Sequence, residues 1–304
     1  MTGAAAARMA EQMSALLDAL DPPQRDKASF SFDDTAERTD WAYFPRDHKG
    51  LALGEMNALQ QKRTHALLAS SLSLPAYAKT TTIMSLENVL NLLEERRADR
   101  VRDPGRYYVS VFGAPGDTLW GWRFEGHHVC LNFTLREGTL LSPTPIFFGA
   151  NPASVEHGHA TIVRPCSEEE DAARELLASL DTDQRAVAVL LDVAPPDFVL
   201  TNAPFVPDAC LPGEVGTLRP PLLRFDDLTD LDKQALRFDR AAPRGLAASK
   251  LNAAQRKLLS ELVDVYIERL PEDSAALERA RIERDGGGNV HFAWAGSDRP
   301  REGH

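Results

Sequence analysis

The chemistry-bearing residues of this chain concentrate in Arg123-Phe124-Glu125-Gly126-His127-His128, which follows Trp120-Gly121-Trp122. Imidazole changes charge between about pH 5 and 8, near physiological pH, so neighbouring histidines beside a carboxylate and a guanidinium can transfer protons, bind an anion or hold a metal. On this reading His127 and His128 are acid–base groups or ligands of a divalent transition metal. Arg123 anchors an anionic group and Glu125 orients an imidazole. His157-Gly158-His159 is a weaker second cluster. Imidazoles two apart on extended backbone can share a metal, with Glu156 joining them, but in a glycine loop such residues are ordinarily surface groups. His48, His65, His291 and His304 have no suggestive neighbours.

The alternation around Gly126 slips. Strand side chains point to opposite faces with period two. Trp120, Trp122 and Phe124 occupy even positions, whereas Val129, Leu131, Phe133 and Leu135 occupy odd ones. One regular strand from Leu119 to Leu135 cannot place both sets in one core. Either its halves face different layers, or a β-bulge at Gly126-His127-His128 inserts a residue and swings both rings into a shared cavity.

The surrounding elements are mixed. Met9, Met13, Leu16, Leu17 and Leu20 form an apolar stripe on a helix over residues 4–19, and a second helix is predicted from about Glu55 to Ser71. Leu86, Val89, Leu90 and Leu93 follow helical spacing in a third. Residues 107–112 are aromatic and β-branched and stop at Gly113-Ala114-Pro115-Gly116-Asp117, a turn signal. A turn near Glu137-Gly138 and a short strand at 145–148 follow, joined too tightly for parallel crossovers. Ser167 with Glu170 forms a capping-box pattern opening another helix. Residues 194–221 are proline-rich, a surface excursion with one strand at Phe198-Val199-Leu200. A helix over about 252–270 and a strand over 289–294 complete the chain. Leu20-Asp21-x-x-Gln24-Arg25 recurs at Leu180-Asp181-x-x-Gln184-Arg185 and Leu251-Asn252-x-x-Gln255-Arg256. A repeated binding element is one reading. The simpler one is helix capping, with Asp or Asn at the N-cap and Gln reaching back to it. The intervals are unequal, so the chain is not a solenoid.

Composition narrows the function classes. The 304 residues are 43% hydrophobic and 26% charged, with a net charge of −11. That balance is globular and opposes an extended phosphate-binding surface, so nucleic acid is not an expected partner. No apolar run approaches membrane-spanning length, and the N-terminus lacks a secretory pattern, so a cytoplasmic location without membrane partners is expected. Cys130, Cys166 and Cys210 show no C-x-x-C pairing, which predicts thiols rather than disulfides or a zinc knuckle. G-x-S-x-G, H-E-x-x-H, the P-loop and G-x-G-x-x-G are all missing.

Trp41 with Pro45 and Gly50-Leu51, the phrase from Trp120 to His128, Phe147-Phe148-Gly149-Ala150-Asn151-Pro152-Ala153 and His291-Phe292-Ala293-Trp294-Ala295-Gly296 together resemble the bacterial domain-of-unknown-function family numbered thirty-five hundred. The resemblance runs nearly end to end and carries no established activity. It implies a further tyrosine-containing strand, an acidic I-E-Y-D-N phrase and a second histidine motif of the N-H-x-H type. This sequence ends at Arg301-Glu302-Gly303-His304, so the 289–294 strand is expected to lose a partner and a site built from both motifs to be incomplete. The fold expected is α+β in one domain, 1–304: a mostly antiparallel sheet over about 107–148 plus the C-terminal strand, packed by helices from both ends. The leading function is an enzyme acting on a small polar or anionic molecule at a histidine-centred site. The alternatives are a non-catalytic module whose Trp120, Trp122 and Phe124 line a ligand groove, and a structural or assembly protein with core histidines.

Overall fold

The structure is a computed structural model and describes residues 3–96, 101–216, 225–284 and 286–299. Its internal contacts divide the chain into two compact units, Met1–Ser167 with Ile267–Glu278 and Glu168–Tyr266 with Arg279–His304. No described helix is long and apolar enough to cross a membrane.

The first unit opens with α1 (Ala4–Ala19), which buries Met9, Met13 and Leu16 on the stripe its spacing predicts. Then come α2 (Pro22–Ala28), β1 (Ser29–Phe30), α3 (Thr35–Thr39), β2 (Leu51–Ala52), α4 (Ala58–Ser71) and α5 (Leu74–Leu93). The α4 helix starts later than the periodicity suggests, because Asn57 caps it: its side chain accepts from Leu59 and Gln60 N–H while Gln60 reaches back to Asn57 N–H at 2.8 Å. This satisfies donors that the first helical turn leaves open. Ser73 caps α5, with Pro75 in its first turn.

The sheet follows as β3 (Tyr108–Phe112), β4 (Leu119–Gly126), β5 (Val129–Arg136), β6 (Thr139–Ser142) and β7 (Ile146–Phe148), then the small hairpin β8 (Val155–His157) and β9 (Ala160–Val163). Its order is β1-β3-β4-β5-β6, with β2 also on β3 and β7 also on β5. Every pairing is antiparallel except β1 with β3.

The slipped alternation has a different cause from a bulge. The predicted single strand is a hairpin, in which Trp120 pairs with Leu135, Trp122 with Phe133, Phe124 with Leu131 and Gly126 with Val129. Directly opposed residues of an antiparallel pair share a face. A turn of His127-His128 therefore aligns even positions on β4 with odd positions on β5. All seven apolar residues of the two sets enter one core, where Trp122 and Phe133 stack at 4.7 Å. Trp120, Trp122 and Phe124 are at most 2% exposed, so they pack the interior and do not line a groove.

The second unit contains α6 (Ser167–Ser179), α7 (Thr182–Ala188), β10 (Val189–Leu191), β11 (Ala209–Cys210), α8 (Asp230–Ala235), β12 (Phe238–Asp239), β13 (Leu246–Ala247), α9 (Ala253–Ile267), β14 (His291–Phe292) and β15 (Trp294–Ala295), while α10 (Glu272–Arg284) falls in the first unit up to Glu278 and in the second from Arg279. Its core joins Leu176, Leu177, Leu180, Leu246, Leu251, Leu259 and Phe292. The C-terminal strand is broken at Ala293. Its first half pairs antiparallel with β13 and its second runs parallel to β10. In the proline-rich excursion, Phe198-Val199-Leu200 is no strand. Thr201 and Ala203 N–H groups bond back to the carbonyls of Phe198 and Leu200, closing successive turns. Residues 217–224 and Arg301-Glu302-Gly303-His304 lie outside the described residues.

Candidate active site

The tip of the β4–β5 hairpin is held by its backbone. Gly126 is required by contact: a Cβ there would sit 2.5 Å from the Tyr107 ring and 2.9 Å from the Arg106 carbonyl oxygen. That close approach lets Tyr107 stack on Phe124 at 5.7 Å and donate its hydroxyl to the His127 carbonyl at 2.7 Å. Burial, helped by Glu87, pushes the Tyr107 pKa well up, so it stays a donor. His128 takes a positive φ of 60°, which histidine tolerates better than most side chains. Its N–H donates to the Tyr43 carbonyl at 2.8 Å, and its own carbonyl accepts from Gly149 N–H at 2.9 Å.

His127 is the side chain that meets Glu87. The Glu87 carboxylate hydrogen-bonds to His127 Nδ1, with both groups buried. The His127 and His128 rings lie 4.0 Å apart, tilted by 31°. His128 is half-buried, and its Nδ1 is shielded without a hydrogen-bond partner among the described residues. Burial, then the neighbouring His127, then Arg102 push the His128 pKa down to about 3, so the ring is neutral at physiological pH. Arg102 is itself clamped by Glu94, at 2.8 and 3.0 Å. A carboxylate on Nδ1 fixes the tautomer and leaves Nε2 of a neutral His127 as the basic nitrogen.

Arg123 and Glu125 belong to a different cluster, on the strand face away from Trp122 and Phe124. Arg123 donates to the Glu37 carboxylate at 2.6 Å and to the Glu37 carbonyl at 2.8 Å, and pairs with Glu125 at 2.6 Å. Burial opposes the Arg123 charge, and the neighbouring carboxylates of Glu125 and Glu37 outweigh it, raising its pKa. Glu125 also meets Ala42 N–H at 3.0 Å, His48 Nδ1 at 3.3 Å and the Cys130 thiol at 4.0 Å. The imidazole that Glu125 faces is thus His48, and the guanidinium is 1% exposed with its charge already matched by carboxylates. Burial and Glu125 push the Cys130 thiol pKa up, which keeps it protonated.

His157 and His159 sit exposed on the β8–β9 hairpin, whose turn carries Gly158 at positive φ. Two residues escaped the sequence reading. His48 gave no local signal. Glu87 gave a usable one, because Ala76, Thr80, Ile83, Glu87 and Leu90 form the buried stripe of α5, and a carboxylate on an apolar stripe calls for a partner.

The family described as protein of unknown function (DUF3500) matches residues 2–304. The chain belongs to this family. No curated protein and no solved structure matches it. The description of DUF3500 names no reaction, so the chemistry of this DUF3500 chain rests on its own geometry.

Proposed function

We propose that this DUF3500 protein is an enzyme acting on a small polar or anionic molecule by proton transfer. His127 is the general base, Glu87 sets its tautomer, and His128 supplies a neutral imidazole beside the reacting group. The single observation that carries this reading is the Glu87 carboxylate on His127 Nδ1 with a second ring 4.0 Å away. Arg123 and Glu125 serve as positioning residues, bracing β4 from its other face through Glu37 and His48.

The test is turnover of a panel of phosphoesters, carboxylic esters, amides and lactones by the full chain. At least one class should be converted, and His127→Gln should lower its rate by about 10²–10⁴-fold, the usual contribution of a positioned acid–base group. Conversion that survives His127→Gln, or no conversion of any class, contradicts the reading.

A divalent transition metal on His127 and His128 is the second reading. The neutral state of His128 favours it, since a ligating imidazole must be deprotonated. Among the described residues, however, no group of three or more His, Cys, Asp or Glu is arranged to hold a metal ion. Metal that copurifies with the wild type and is lost from His127→Ala/His128→Ala would make ligation the primary role.

A further inference from the structure

The recurring L-[DN]-x-x-Q-R phrase does more than cap helices. In the first unit Asp21 and Gln24 form a reciprocal capping box, as do Asn57 and Gln60. The two glutamines also bond each other, Gln24 Nε2 to Gln60 Oε1 at 3.2 Å and Gln60 Nε2 to Gln24 Oε1 at 2.6 Å. Their amides reach the carbonyls of Glu55 and Ala19. In the second unit Asp181 with Gln184 and Asn252 with Gln255 form the same boxes. Gln184 and Gln255 bond each other at 3.0 and 2.7 Å, and their amides reach the carbonyls of Lys250 and Ser179. Capping chemistry explains each box alone. It does not require two boxes to lock through their glutamines, nor the same pair of carbonyls to be chosen twice.

The correspondence continues into the strands. Ser29 pairs in parallel with Val111, and Val189 in parallel with Trp294. Leu51 pairs antiparallel with Val109 and Ala52 with Tyr108, as do Leu246 with Phe292 and Ala247 with His291. Leu53 N–H donates to the Tyr107 carbonyl, and Ala248 N–H to that of Val290. Gly50 and Gly245 both have positive φ, at 95° and 90°. A Cβ on either would collide with the carbonyl oxygen of the residue facing the next strand position, Val109 at 2.6 Å and Phe292 at 2.4 Å. Both glycines open the identical tripeptide Gly-Leu-Ala. Around the first box, Leu16, Leu17, Leu20 and Ala28 match Leu176, Leu177, Leu180 and Ala188 in identity and burial, apart from a half-buried Leu17.

We infer that residues 4–112 and 167–295 are copies of one duplicated segment. Each is a helix and a capped helix leading into a parallel strand, a Gly-Leu-Ala strand, a second capped helix and a closing strand, with a Gln–Gln lock joining the caps. The proline-rich excursion at 194–221 is then an insertion in the second copy, between the parallel strand and Gly245. This inference does not rest on the acid–base reading of His127.

Two experiments on the full chain test it. Double-mutant cycles with Gln→Leu at Gln24 and Gln60, and at Gln184 and Gln255, should show non-additive losses of thermal stability in both pairs. Additivity in either pair overturns the duplicated lock. Exchanging residues 50–60 with residues 245–255 should leave a chain that melts higher than a control exchange displaced by one residue. A displaced exchange that melts as high as the matched one overturns the equivalence.

Discussion

His128 carries a pH signature that can be worked out in advance. Its folded pKa lies near 3, whereas the unfolded ring titrates near 6.5. Above pH 6.5 neither state binds this proton. As pH falls below that value the unfolded chain protonates first, so stability declines by about 1.4 kcal/mol per pH unit and levels off near pH 3. His128→Asn keeps a residue suited to positive φ and removes this contribution. Denaturant melts between pH 4 and 7 should show a shallower decline for the variant, and equal slopes would contradict the neutral burial of His128. At Gly126 an added methyl meets the Tyr107 ring, which is walled in by Phe124. Gly126→Ala should therefore cost about 1–3 kcal/mol in a urea melt, the usual range for overpacking. Of these site residues the histidines stand out by type and spacing, whereas Gly126 stands out for the backbone freedom of a bulge and is required instead by its contact with Tyr107. Glu87 was legible only in principle, as a carboxylate on an apolar stripe. The partnership of Glu125 with His48 was not, because it depends on a loop folding back across the sheet.

The hairpin shows how one pattern supports two structures. A phase slip between Phe124 and Val129 is compatible with a bulge or with a two-residue turn, and residue types alone do not separate them. The usual Asn-Gly turn signal is absent, since His128 itself takes the positive φ. The helices were more legible. The α1 range matches its apolar stripe in full, and α4 starts later than its periodicity because Asn57 is its cap. Caps and core can be weighed separately. Asn57→Ala should cost about 1 kcal/mol. Trp122→Ala, which opens a cavity against Phe133, should cost about 3–5 kcal/mol. A Trp122 variant as stable as the wild type would contradict the packed core.

Across the whole molecule, the α+β class follows from a middle third of period-two residues flanked by helical spacing, and the structure has that arrangement. The pairing of β10 and β13 with the C-terminal strand was not legible, because contacts of such sequence separation leave no local trace. Stability should be uneven within the first unit. Amides of Val109, Val111, Trp122 and Phe124 lie in fully paired, buried strands, whereas the β8–β9 hairpin is largely exposed. Native-state hydrogen exchange should therefore be slowest in β3–β5 and fast in β8–β9. Comparable protection in the two segments would contradict this packing.

The most direct measurement is a ¹⁵N titration of the imidazole nitrogens in the full chain, alone and with Glu87→Gln. His127 should carry its proton on Nδ1 in the wild type and change tautomer balance in the variant, while His128 stays neutral to below about pH 4. A His128 that titrates near its ordinary value, or a His127 indifferent to the loss of the Glu87 charge, would contradict the dyad on which the proposed chemistry depends.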